Sequence, residues 1–148
     1  ARRNMMIAST IGGMAFISSN VGAVHAFAET VGAWFDTPHG VANSLFLPYI
    51  MEFNIPACPE RFADIADAMG IEREESMSDE QYALKAVEYV KALNRKLNIP
   101  TIKEIKGITE ERFEAIAERS ANNVLSNDNA RKITKEDYLE LLKKAYNE

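Results

Sequence analysis

At 148 residues, with 47% hydrophobic and 26% charged side chains, the chain is the size of one domain and can bury one core. Its formal charge of -5, with 17 Lys and Arg spread among 22 Asp and Glu, offers no basic stripe for a nucleic acid. The single cysteine, Cys58, cannot close an internal disulfide, so a reducing, cytoplasmic setting is expected, and Cys58 reads as structural because neither histidine is near it in sequence.

The chain opens on ARRNMMIAST, where Arg2 and Arg3 precede an apolar run. Ser, Thr, Gly and Asn interrupt that run, and it leads straight into the next helix, so it does not read as a signal peptide. No 18-residue apolar span is free of polar residues, and no membrane segment is expected. The absence of an initial Met and the helical pattern already running suggest a piece of a longer protein.

Helical spacing recurs throughout, and no stretch alternates long enough for a strand. The pattern predicts helices over residues 3–17 and 22–35, a turn at Asp36-Thr37-Pro38, and a third helix over 39–53 with a kink or break at Pro48. Asn54 to Pro59 reads as a connector. Pro59 suits the first turn of a helix over 59–69, closed by Gly70. Ser78-x-x-Gln81 is a capping box for a long helix over 79–97. Its apolar stripe is Tyr82, Ala83, Ala86, Val87, Val90, Leu93 and Leu97, and Asn98-Ile99-Pro100 ends it. Ile102 to Ile108 reads as a linker carrying Gly107. Thr109 is expected to cap a helix over 110–125. Ser126 to Asn129 is a turn cluster, and Thr134-x-x-Asp137 caps a final helix over 135–146. The expected fold class is all-α, a bundle of six to seven helices.

Charge is distributed unevenly. Between Asn4 and Met51 the only charged side chains are Glu29 and Asp36. Three consecutive helices so poor in charge call for burial on most sides, at the centre of this domain or against a domain outside the chain. This same stretch holds both histidines, His25 and His39. His25 and Glu29 are four residues apart and share a helix face, which Gly32 continues. His39 follows the Pro38 turn, which must fold it back toward the second helix. Two imidazoles and a carboxylate suit a divalent transition metal, with Fe(II) and Zn(II) foremost. The spacing H-x3-E-x9-H is no standard signature. The residues alone leave open that both histidines are core or capping groups bonded to backbone carbonyls, and that Glu29 is exposed at the edge of a cleft.

Three stretches carry a specific resemblance. Ser19-Asn20-Val21-Gly22-Ala23-Val24-His25, Gly32 to Asn43 with its Pro38-His39-Gly40-x-Ala42-Asn43 box, and Leu47-Pro48 fall together in order. They resemble the iron-containing (group III) alcohol dehydrogenases. Weaker likeness runs through Phe62 to Gly70, Leu97 to Pro100 and Asn129-Ala130-Arg131, where the family often has Asn-Pro-Arg. The resemblance covers essentially the whole chain but only the C-terminal part of the family's chain. It implies a dehydroquinate synthase-like helical domain over 1–148, with the N-terminal NAD(P)-binding α/β domain absent. It also implies that His25 and His39 match two of the family's metal ligands, while the remaining Asp and His lie in an Asp-x3-His segment this chain lacks. No Gly-rich phosphate loop is present. Glu29 stands where family members commonly carry a second His near the reacting carbon, and is the candidate catalytic residue. Phe16 matches an aromatic residue of the substrate pocket, and Leu125 a position near the substrate, with a plain core role open for each.

The resemblance implies a parent enzyme that oxidises an alcohol to an aldehyde or ketone, with iron (or zinc) as Lewis acid and NAD or NADP as hydride acceptor. The fragment alone is expected to be inactive. The expected partners are a small alcohol or aldehyde, the missing nucleotide-binding domain and a second copy of the chain. Two other readings remain: a helical interaction module that kept the fold and lost catalysis, and a self-sufficient site of two histidines and a carboxylate.

Overall fold

The computed structural model describes residues 1–148 as seven α-helices joined by turns and short 3-10 segments, with no strand. The helices are α1 (Arg2–Ser19), α2 (Ala23–Phe35), α3 (His39–Asn54), α4 (Pro59–Ala68), α5 (Asp79–Lys96), α6 (Phe113–Ala121) and α7 (Lys135–Asn147). Two apolar clusters hold them together. The larger joins α2, α3, α6 and α7 around Phe27, which stacks on Phe46 at 4.3 Å between ring centroids and meets Tyr138 edge-on at 4.6 Å. The smaller joins the end of α3 to α4 and α5 through Met51, Ile55, Ala63, Ala66, Tyr82 and Val87.

α2 and α3 are buried as their composition requires: Ala23, Ala26, Phe27 and Val31 of α2 are wholly inaccessible. α1 is the exception, because it carries no buried residue. Met5, Met6, Ile7, Ile11, Met14, Phe16 and Ile17 are all between 47% and 79% exposed. Asn20, at φ 61° and ψ -170°, ends α1 with a positive φ. The chain then bends by 109° into α2. No single helix is long and apolar enough to cross a membrane.

The tight turn between α2 and α3 works as its residues suggest. Asp36 (φ 50°) closes α2 in the left-handed conformation, and Pro38 precedes the first turn of α3. Gly32 lets the Thr37 carbonyl approach, since a Cβ there would stand 3.2 Å from that oxygen. Pro48 does not break α3, which runs through it to Asn54. The proline removes the N–H that would bond the Ser44 carbonyl. Asn94 of α5 donates its side-chain amide to that carbonyl at 2.6 Å and replaces the lost bond.

The second half differs from expectation in three places. The helix expected over 110–125 is a 3-10 turn (Glu110–Arg112), then α6, then a second 3-10 segment (Val124–Asp128). Thr109 makes no side-chain cap; Asn123 instead caps the second 3-10 segment through the Leu125 N–H. Asn side chains compete with the helix for backbone donors in this way. The linker 102–108 is a buried spine, with Ile102, Ile105 and Ile108 in the larger core. In α5, Leu93 and Leu97 are 40% and 60% exposed, so the buried stripe stops at Val90. The capping boxes at Ser78–Gln81 and Thr134–Asp137 form as expected.

Candidate functional site

His25 lies in the first turns of α2 and His39 begins α3. The two rings meet with centroids 5.3 Å apart, tilted by 51°. They line an open cleft of about 520 Å³ with Val21, Val24, Asn43 and Leu47, whose exposed wall is mostly apolar. His25 is half-buried and His39 exposed at the rim. The His25 pKa is held below the usual imidazole value, first by burial and then by repulsion from His39, with the Glu29 carboxylate opposing both. His25 is thus biased toward the neutral ring, which is the form with a free lone pair.

Asn43, one turn beyond His39, orients the second ring. Its amide nitrogen lies 3.0 Å from His39 Nε2 and donates to the His39 carbonyl at 3.0 Å. Since the amide donates, His39 Nε2 accepts, and a neutral His39 carries its proton on Nδ1. Asn43 Oδ1 is buried with no donor facing it. Spacing of four on one helix face, His39 to Asn43, was the sequence signal for this contact.

Glu29 turns to a different recess. Its Oε2 accepts from Asn123 Nδ2 at 2.7 Å. The recess around it is walled by Trp34, Glu118, Arg119 and Asn123, with the Arg119 guanidinium 5.5 Å from the Trp34 ring centre. No three His, Cys, Asp or Glu side chains converge closely enough to hold a metal ion. The self-sufficient site of two histidines and a carboxylate is therefore not formed, because Asn123 holds Glu29 in the neighbouring recess. Phe16 sits on the uncovered α1, 52% exposed, and lines neither recess. Leu125 is half-buried against the larger core.

As donors, the paired imidazoles fit a borderline divalent cation such as iron or zinc, and they amount to half of a four-ligand set. A cation taken at His39 Nε2 would replace the Asn43 donor there.

The C-terminal model of the Fe-containing alcohol dehydrogenase family matches residues 1–146, and the chain belongs to that family. It is 38% identical over 146 residues to lactaldehyde reductase of Escherichia coli (strain K12), and 37% identical over 146 residues to 1,3-propanediol dehydrogenase of Citrobacter freundii. Both alignments cover 99% of this chain, and the chain spans only 38% of the length of those relatives. The fold superposes on the crystal structure of a 1,3-propanediol oxidoreductase with a TM-score of 0.87 at 36% identity, covering 93% of this chain and 36% of that one.

Proposed function

We propose that the chain is the helical, metal- and substrate-facing part of an NAD(P)-dependent alcohol dehydrogenase acting on small alcohols and their aldehydes or ketones. The convergence of His25 and His39 to 5.3 Å in a largely apolar cleft carries this reading. The names of the relatives, a lactaldehyde reductase and a 1,3-propanediol dehydrogenase, favour short substrates with more than one oxygen.

In this reading His25 and His39 hold a divalent iron, or zinc in its place, together with an Asp and a His from outside this chain. The bound metal supplies Lewis acidity that makes an alcohol hydroxyl easier to deprotonate. The chain's own residues prepare the surroundings. Burial biases His25 toward the neutral ring. Val24 and Leu47 thin the water around the cleft, and charge interactions strengthen as water is excluded. Asn123 holds Glu29 in the neighbouring recess one helical turn from His25, from where its carboxylate acts on the cleft through its charge. With two imidazoles and no phosphate-binding loop, residues 1–148 alone bind metal weakly and do not turn over.

The test is metal analysis of the full-length protein prepared without oxygen. One equivalent of iron or zinc per chain, lost in His25→Ala and in His39→Ala while the fold persists, is the expected result. A wild-type protein that takes up neither metal overturns the reading and leaves a non-catalytic helical module.

A further inference from the structure

The start of α2 has no cap of its own. Gly22 offers no side chain, and the first amides of a helix have no partner within it. One residue far along the chain supplies that partner. Asn129 Oδ1 accepts from the Ala23 N–H at 3.3 Å and from Asn54 Nδ2 at 3.1 Å. Asn129 Nδ2 donates to Asn54 Oδ1 at 2.7 Å and to the Arg131 carbonyl at 2.7 Å. All four hydrogen-bonding positions of this amide are used, and they span the first residue of α2 and the last residue of α3.

The flanking residues fasten the same loop. Asp128 accepts from Asn20 at 2.7 Å, just ahead of α2. Arg131 donates to the Phe53 carbonyl at 3.0 Å and lies 4.1 Å from the Phe53 ring centre, at the end of α3. Gly22 is the clearance for the loop: a Cβ there would meet Asn129 Oδ1 at 3.0 Å and its Cα at 3.2 Å.

We propose that Asn129 is a positioning residue for the histidine cleft, fixing the start of α2 against α3 and so setting where His25 stands relative to His39. Its consequence for metal affinity rests on the reading of the cleft given above. The positioning itself does not, and the two are tested separately. His25 lies two residues beyond the clasped Ala23, and α1, which carries no buried residue, adds no packed core to the start of α2.

Two measurements on the full-length protein decide it. The first is independent of metal. With Cys58→Ser removing the one thiol of residues 1–148, and any cysteine elsewhere in the longer protein replaced by serine, a His25→Cys/His39→Cys pair is bridged by a short bis-alkylating reagent. The wild-type clasp should give efficient bridging, and Asn129→Ala should lower the bridged yield several-fold. Gly22→Ala, which pushes the loop away, should do the same, and Asn129→Asp, which keeps the acceptor for Ala23, should fall between. Equal bridging in all four backgrounds overturns the proposal. The second measurement titrates Co(II) alone into proteins with both histidines. Asn129→Ala should bind at least tenfold more weakly, while Thr134→Ala, which removes the cap of α7, should bind as the wild type does. Equal weakening in Thr134→Ala means general destabilisation and overturns a specific role. If the wild type binds no Co(II) while bridging still depends on Asn129, the metal reading fails and the positioning role stands. If Asn129→Ala does not fold, Asn129→Asp and Gly22→Ala carry both measurements.

Discussion

Glu29 and His25 share a face of α2, yet their side chains serve neighbouring recesses because Asn123 draws the carboxylate aside. In the proposed metal site, a carboxylate one helical turn from a ligand adds negative charge and weakens the Lewis acid. On the proposed function, Glu29→His in the full-length protein should therefore raise kcat/KM on small alcohols about tenfold, corresponding to roughly 1.4 kcal/mol. Steady-state kinetics on ethanol and on a short diol, side by side, check the prediction. The residue scale is also where sequence reading divides. The pairing of His25 with His39 was readable, because the Pro38 turn allows only a short path back and the box around His39 is distinctive. The destination of Glu29 was not readable. It depends on Asn123, 94 positions away, and on where α6 stops. Asn129 was visible only as part of a familiar triplet, and nothing local announces that its amide reaches Ala23 and Asn54.

Among the elements, α3 shows how a helix carries a proline without breaking. Asn94 bonds the carbonyl that Pro48 leaves free, so the cost of the proline is shared with α5. Asn94→Ala should cost about 1 kcal/mol, the loss of a hydrogen bond to a half-buried carbonyl. Pro48→Ala in that background should recover part of the loss, since an N–H returns at position 48. Denaturant unfolding of the single and double variants measures the coupling. The periodic pattern located every long helix to within a few residues, because capping boxes, Gly70 and the prolines mark their ends. It failed over 110–125, where a run of helix-compatible residues conceals the Asn122-Asn123 stop. It also took Ile102, Ile105 and Ile108 for a linker, since a spacing of three in so short a segment resembles a loop with scattered apolar residues.

For the molecule as a whole, the buried centre sets a limit at high pH. Tyr138 joins α7 to Ser126 through a hydroxyl contact of 2.7 Å, and burial pushes its pKa up to about 12, against a weaker opposing effect of that hydrogen bond. Tyr49 is likewise raised to about 12, by burial and by the Glu148 carboxylate. A group whose folded pKa exceeds its unfolded value stabilises the fold fully below the unfolded value. Stability should therefore hold up to about pH 10 and decline between pH 10 and about 12 as the unfolded chain ionises first. Tyrosinate absorbance and helical circular dichroism should change together in that window, and Tyr138→Phe should flatten the dependence at the cost of the Ser126 bond.

α1 presents seven large apolar side chains to water with only Arg2 and Arg3 for charge. Such a rod behaves as a surfactant. A preparation of residues 1–148 by itself will therefore micellise or adsorb to apolar resin well before its core melts. Its melting curve will shift with protein concentration, and mild detergent will restore monomers without touching the bundle beneath.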